Sequence, residues 1–266
     1  MWQYKLPHEK QKPGFHSQHH SHSIPCIPPM IAVRPPEYWP SPLFAALMIA
    51  ADRLYVGDTF RYSRQSLQNR ARLRNPNGWQ WITIPLQSGQ QGRAIAQTAI
   101  NTNEPWIGRH WRALMFNYRS APYFEYYEPR LRPIFEQEWA SVGPLALATI
   151  SFVIDALDLS VDLVPTSTLS TAPTSLQAVL AHDTAAPLLL AEDVVSHDAS
   201  TATAAGRSCK VLQLDLPAYD QNFEGFEPNM SVVDLLFNYG PSTRLMLRNA
   251  WSVTTLSSSS ATEAKS

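Results

Sequence analysis

Two side chains in this sequence are suited to acid–base work and stand in segments able to present them. His110 lies in Trp106-Ile-Gly-Arg-His110-Trp111-Arg-Ala-Leu-Met-Phe-Asn117-Tyr118, and no other histidine occurs between residues 23 and 181. An imidazole titrates near working pH and can take a proton from an amine or hydroxyl. The competing role for a lone histidine on an apolar margin is a hydrogen-bonded core residue. Asp58 ends the apolar run Arg53–Gly57 and can orient that imidazole or a substrate amine; an ion pair with a nearby arginine is its alternative. Tyr62, Asn69 and Arg70 offer donors to a phosphate or carboxylate, with Arg64 and Arg70 as the clamp, because a guanidinium meets such anions through two parallel N–H groups. Asn69 has the alternative of tying a strand to a loop. Tyr123, Phe124, Tyr126 and Tyr127 can stack on a sugar or base, or pack as core.

Charge distribution agrees with an anionic ligand. Residues 53–132 hold 12 Arg and 4 acids, whereas residues 133–234 hold 14 acids against Arg207 and Lys210. A basic half made of arginine alone suits a planar anion, so an anionic small molecule (a sugar nucleotide or similar) is the expected partner. The other reading is two oppositely charged, solvated faces. Nucleic acid is not expected, since the formal net charge is −1 and no recognised binding module is present. The sequence also lacks a Gly-Lys-Ser/Thr phosphate loop, a Gly-x-Ser-x-Gly elbow, a dinucleotide glycine fingerprint and the Asp-x-Asp of metal-dependent sugar transferases. No cofactor and no metal are therefore expected. Cys26 and Cys209 have no spacing pattern, which argues against a disulfide framework or zinc site and for a reducing compartment. His16, His19, His20 and His22 read as part of a disordered tail.

Positioning those side chains requires a recognisable set of elements. Ile31-Ala-Val33 reads as a strand, Leu43–Ala51 as a buried helix capped by Ser41 with Pro42 in its first turn, and Arg53–Gly57 as a second strand. That is a compact βαβ unit with parallel strands, and it delivers Asp58 to the carboxyl edge where open α/β folds bind ligands. Residues 68–86 read as a hairpin about Asn75-Pro-Asn-Gly78, with Arg70, Arg72 and Arg74 on one face and Asn69, Ala71 and Leu73 on the other. A Gly-containing loop (88–93) and a short strand near 97–100 follow. The helix Trp106–Tyr118 centres its apolar stripe on Ile107, Trp111, Leu114 and Tyr118, leaving Trp106, His110 and Asn117 along a margin from which they can face a ligand. Helices over 128–139 and 142–158, a strand over 161–164 and a helix over 229–239 complete the set. Ser231 and Asp234 read as cap chemistry for that last helix, and Gly240-Pro241 as its stop.

The expected architecture is thus α/β: a mixed sheet with an N-terminal βαβ unit, a β-hairpin and several helices, in a single domain. Composition divides the chain into a disordered N-terminal tail (1–29), a first part of the domain (30–165), a Ser/Thr/Ala-rich low-complexity insertion (166–207), a C-terminal part (208–250) and a disordered tail (251–266). Met30 is an alternative start. The longest apolar runs, Leu43–Ala51 and Pro144–Ile154, are far too short for a membrane span, and no secretory signal opens the chain, so a cytoplasmic protein is expected.

At this level the chain resembles the WbqC-like proteins. The resemblance rests on Tyr38-Trp-Pro40; Asp58 with Tyr62-Ser-Arg-Gln-Ser; Asn69-Arg70; Asn77-Gly78 before Ile82-Thr-Ile-Pro85; Pro105-Trp106 with His110-Trp111-Arg112; Ala121-Pro-Tyr-Phe-Glu-Tyr-Tyr127; and Phe226-Glu-Pro-Asn-Met-Ser231-Val-Val-Asp234-Leu-Leu-Phe-Asn238-Tyr-Gly240. It implies a bacterial protein of surface-polysaccharide synthesis, O-antigen lipopolysaccharide in particular. The activity implied is a transferase acting on an activated amino sugar, by acyl or aminoacyl transfer, with His110 as base and Asp58 as its orienter. Tyr38, Tyr62, Arg64, Asn69, Arg70, Trp106, Asn117 and Tyr123 would contact substrate. The alternative is a non-catalytic ligand-binding or assembly protein of the same locus. Where many relatives carry His-Gln-Pro, this chain has Arg34-Pro-Pro.

Overall fold

The structure is a computed structural model that describes residues 29–256. The tail assigned to 1–29, with Cys26 and the histidine run, lies outside the described residues except for its last position, as do residues 257–266. The expected βαβ unit opens the fold: β1 (Ile31–Arg34), α1 (Pro42–Ala50) and β2 (Arg53–Val56). β1 and β2 are parallel, with Ile31 opposite Arg53 and Arg34 opposite Val56. Ser41 Oγ accepts from the Phe44 amide at 3.2 Å, and Pro42 occupies a first-turn position that needs no N–H donor.

Four more strands complete the main sheet: β5 (Asp162–Pro165), β6 (Leu188–Ala191), β7 (Cys209–Leu214) and the antiparallel edge strand β8 (Trp251–Thr255). The spatial order is β5-β2-β1-β6-β7-β8. The chain builds outward from β1 through β2 to β5, then crosses to the other flank of β1 for β6 and β7. This is the doubly wound order, and its topological switch falls between β1 and β6. Strand residues alternate between two cores. Ala32, Leu189 and Leu212 join the larger one with α1. Ile31, Val33, Leu188, Leu190 and Cys209 join the smaller one under α5 (Leu176–His182) and α6 (Val195–Ala204).

The stretch 166–207 is therefore not an insertion set apart from the fold. Its Leu188–Ala191 segment is entirely buried and hydrogen-bonded to β1 on one side and β7 on the other. Four apolar residues covered on both faces have no alternation to read, and the Ser/Thr/Ala flanks conceal them. Residues 251–255 likewise form β8 rather than part of a tail.

The hairpin forms a separate two-stranded sheet, β3 (Arg70–Asn75) with β4 (Gly78–Thr83). Asn75 Oδ1 accepts from the Asn77 amide at 3.0 Å, and Gly78 takes φ +118°, which a side chain would oppose. Ala71 and Leu73 point into the core as the alternation requires. Arg74 departs from its exposed face because the loop after β7 folds over it. Its Nε donates to Gln221 Oε1 at 3.0 Å, and its terminal nitrogens donate to the carbonyls of Asn75, Gly78 and Glu224.

α2 (Trp106–Tyr118) has the expected limits, and α3 (Phe124–Glu136) and α4 (Val142–Ala156) follow it. The buried face of α2 is Trp106, His110, Leu114, Asn117 and Tyr118, while Ile107 and Trp111 are only half-buried. The margin of the sequence stripe is thus the centre of the packed face. The strand expected near 97–100 is instead a 3-10 turn (Ile95–Gln97) followed by single bridges at Ala99 and Ile100. α7 (Val232–Tyr239) stops at Gly240-Pro241, and α8 (Ser242–Asn249) begins at once. α4 packs directly on the 3-10 turn: a Cβ on Gly143 would stand 2.5 Å from Ala96 Cα. Gly143→Ala should therefore cost about 1–3 kcal/mol, read as a lower urea midpoint at unchanged slope. An unshifted midpoint would show that the turn yields freely.

Candidate functional site

The packing of α2 against the hairpin decides the chemistry of His110. Its ring is buried, Nε2 lies 3.2 Å from the Thr83 carbonyl and Nδ1 lies 2.9 Å from the Tyr38 hydroxyl. A carbonyl can only accept, so Nε2 carries the proton and Nδ1 accepts from Tyr38. Burial lowers the imidazole to about 4, the Thr83 carbonyl opposes this, and Arg109 adds to it. The ring is accordingly neutral at pH 7, with both nitrogens engaged. Trp106 meets it edge-on at 5.2 Å between centroids.

Asp58 stands at the carboxyl end of β2, where the βαβ reading put it, but its partners are not on α2. Thr166 Oγ1 and the Ser167 amide donate to Oδ1 at 3.0 and 2.8 Å, and Ser167 Oγ donates to Oδ2 at 2.5 Å. This carboxylate stitches the loop after β2 to the loop after β5. No hydrogen bond joins Asp58 to His110, so the expected base–orienter pair does not form.

The remaining expected residues scatter. Tyr62 donates to Asn69 Oδ1 at 3.1 Å and Asn69 Nδ2 donates to the Ile84 carbonyl at 3.0 Å, so Asn69 takes the bridging role. Arg70 donates to the Gln65 carbonyl and lies 4.2 Å over the Trp81 ring. Arg64 is exposed in the preceding loop, its amide held by Gln91. Tyr123 packs against Gly240, where a Cβ would come within 2.5 Å of its ring. The Asn117 amide is buried with no hydrogen-bond partner among the described residues.

A second arrangement occupies the topological switch itself. Arg34, the last residue of β1, is buried, and its guanidinium is bidentate to Asp193 at 2.7 and 3.0 Å while also reaching Glu37 at 3.2 Å. Asp193 directly follows β6, so this ion pair spans the crevice between the two strands. Glu37 Oε2 in turn accepts from the Ser41 amide at 2.8 Å. The β1–α1 connection thus has the fold position of a dinucleotide loop without its chemistry. Pro35, Pro36 and Pro40 lack amide donors, and a resident carboxylate fills the entrance to α1.

Beside this ion pair is a cavity of about 490 Å³, at the carboxyl ends of β6 and β7. Its lining includes Glu192, Asp193 and Asp215 from the loops after β6 and β7, Arg72 and Trp81 from the hairpin, and Phe226. Glu192 is fixed by the Leu214 amide at 3.2 Å, whereas the Asp215 carboxylate makes no hydrogen bond among the described residues. Carboxylates and aromatic rings in one lining suit a ligand that has hydroxyls or an amine as well as an apolar ring surface. Residue order hides this site, since its members come from the start of α1, from β3 and β4, and from the loops after β6 and β7. The one local signal is an acidic pair, Glu192-Asp193, directly after a short apolar run.

Behind the cavity wall lies a buried carboxylate that the cap reading misplaced. Asp234 sits in the first turn of α7, yet Ser231 does the capping, accepting from the Val233 amide at 3.5 Å. Asp234 instead accepts from Tyr118 and Tyr219 hydroxyls, each at 2.8 Å, and from Gln221 Nε2 at 3.0 Å. Burial pushes its carboxyl above the ordinary value, against the pull of those three donors and Arg74. Tyr219 lines the cavity, so this network holds one wall in place.

Among the described residues no helix is long and apolar enough to cross a membrane, and no cluster of three metal-ligating side chains occurs. No solved structure matches the chain. An uncharacterized protein of Mycobacterium tuberculosis (strain ATCC 25618 / H37Rv), Rv1507c, is 28% identical over 225 residues, covering 82% of this chain and 97% of that protein. The family model for the WbqC-like proteins matches residues 35–245, from the residue after β1 into α8, and therefore includes Asp193, the hairpin and the cavity lining, while Arg34 lies one position before it. The chain belongs to the WbqC-like protein family.

Proposed function

We propose that this protein is a transferase-type enzyme of surface-polysaccharide synthesis that holds an amine-bearing sugar in the switch-point cavity. The observation that carries the reading is the set of three carboxylates, Glu192, Asp193 and Asp215, sharing one cavity lining with aromatic rings at the carboxyl edge of a doubly wound sheet. Asp193, held by Arg34 at 2.7 Å with its side chain 47% exposed toward solvent, is suited to pair with an ammonium group. Asp215 is the carboxylate available to take a proton as the amine becomes a nucleophile in acyl or aminoacyl transfer. His110 serves in this reading as a positioning residue that fixes Tyr38 and the hairpin.

A thermal-shift panel of paired sugars tests it. Glucosamine should stabilise the protein and N-acetylglucosamine should not. Asp193→Asn should weaken glucosamine binding about 30-fold, as expected when a charge pair at a partly desolvated site loses one member. Equal responses to the amine and its acetylated counterpart would remove the basis for the reading. A non-catalytic binding role is the second reading of the same cavity: both Asp193 oxygens are already held by Arg34, which suits holding a ligand more than moving a proton. It predicts the same stabilisation with no product from any acyl or aminoacyl donor.

A further inference from the structure

We infer that Arg72 is an anion anchor at the hairpin end of the same cavity, so that the sugar it takes carries a phosphate. The inference rests on the carboxylate reading above for the position of the sugar, but its own support is separate. Three arginines at the ends of strands or along the hairpin have ready acceptors. Arg34 holds Asp193 and Glu37, Arg74 holds Gln221 and three carbonyls, and Arg70 holds the Gln65 carbonyl. Arg72 has none. Its guanidinium is half-buried and lines the cavity, its Nε is buried without a partner, and no hydrogen bond or ion pair to it occurs among the described residues.

What holds Arg72 is stacking. Its guanidinium carbon lies 3.8 Å from the Trp79 ring centroid and 5.8 Å from that of Trp81, and the two indoles meet edge to face. Below it the strand is fixed, because the Arg72 carbonyl accepts from the Ser231 amide at 2.9 Å at the start of α7. A guanidinium 3.8 Å over an indole is restrained by the cation–π contact while its N–H groups have no protein acceptor, so less side-chain freedom remains to be lost on binding a planar or tetrahedral oxyanion. Burial also pulls this group below the ordinary arginine value, with Glu227 opposing. With Glu192, Asp193 and Asp215 in the same lining, the cavity holds both a cationic and an anionic group. A sugar with an amine and a phosphate matches both; free phosphate matches only one.

Calorimetric titration of the full chain with glucosamine, glucosamine 1-phosphate, UDP-glucosamine and inorganic phosphate, repeated for Arg72→Met and Arg72→Gln, tests the assignment. Wild-type protein should bind glucosamine 1-phosphate at least about tenfold more tightly than glucosamine, and both variants should lose that difference while keeping glucosamine affinity within about twofold. UDP-glucosamine binding more tightly than the 1-phosphate identifies the nucleotide-linked sugar as the ligand; equal affinities identify the sugar phosphate alone. A wild-type protein that fails to favour the phosphorylated sugar, or variants that bind it as wild type does, would overturn the proposal. Should neither variant fold, the wild-type preference must shrink with added salt while glucosamine alone responds less; a salt-independent preference overturns it equally. If Asp193→Asn leaves glucosamine binding intact while Arg72 still governs the phosphate, the carboxylate reading fails and the anchor stands.

Discussion

Asp234→Ala should lower the free energy of unfolding by about 3–5 kcal/mol, enough to consume a large share of a typical domain's stability. Asp234 is fully buried, and its two oxygens receive both tyrosine hydroxyls and the Gln221 amide. Truncation leaves Tyr118 and Tyr219 with buried O–H groups and nothing to receive them, and each unsatisfied group costs about 1–3 kcal/mol. Tyr118 also accepts from the Arg74 amide at 2.9 Å, so the hairpin, α2 and α7 are tied at one point. Tyr118→Phe, which removes one hydroxyl and leaves the other bonds, should cost less than Asp234→Ala. Urea unfolding monitored by far-ultraviolet circular dichroism measures both. An Asp234→Ala midpoint within about 1 kcal/mol of wild type would mean that water or a rearranged side chain replaces the carboxylate.

The second large effect is a dependence of stability on pH traced to His110. Its folded value, about 4, lies below the ordinary imidazole value of 6.5, because burial penalises the charged ring. The unfolded chain therefore takes a proton before the folded one does. The stabilising contribution is complete above about pH 6.5 and is lost as pH falls from there toward about 4, a loss of about 3 kcal/mol in all. In His110→Gln this part of the acid-side fall should vanish, flattening the stability profile by close to one proton across that window. Identical profiles for the two proteins would mean that the ring reaches solvent. Turnover gives a separate check: with both nitrogens committed, His110→Gln should keep activity within a few-fold if the protein remains folded.

Both results turn on groups that the sequence made conspicuous for another reason. A histidine amid tryptophans on a helix looks like catalytic chemistry or core chemistry, and only its neighbours distinguish the two. Tyr38 lies 72 positions away and Thr83 lies 27. The same holds for Asp58, whose place at the end of β2 was legible from the strand–helix–strand spacing, while its partners Thr166 and Ser167 were not. Local periodicity has no term for a contact across a hundred residues.

What the sequence alone determined was everything carried by near neighbours along the chain. The βαβ unit, the Ser41 and Ser231 caps, the Asn-Gly hairpin turn, the limits of α2 and the mixed α/β architecture all follow from capping, turn chemistry and apolar period. Tertiary structure decided the rest. It set Leu188–Ala191 beside β1, made Arg34 and Asp193 partners across 159 positions, and brought Arg72 from the hairpin into one cavity lining with Glu192 and Asp215. The physical reason is that a doubly wound sheet assembles its site at a reversal of strand order. Such a reversal exists only between strands distant in sequence, so no stretch of the chain contains it.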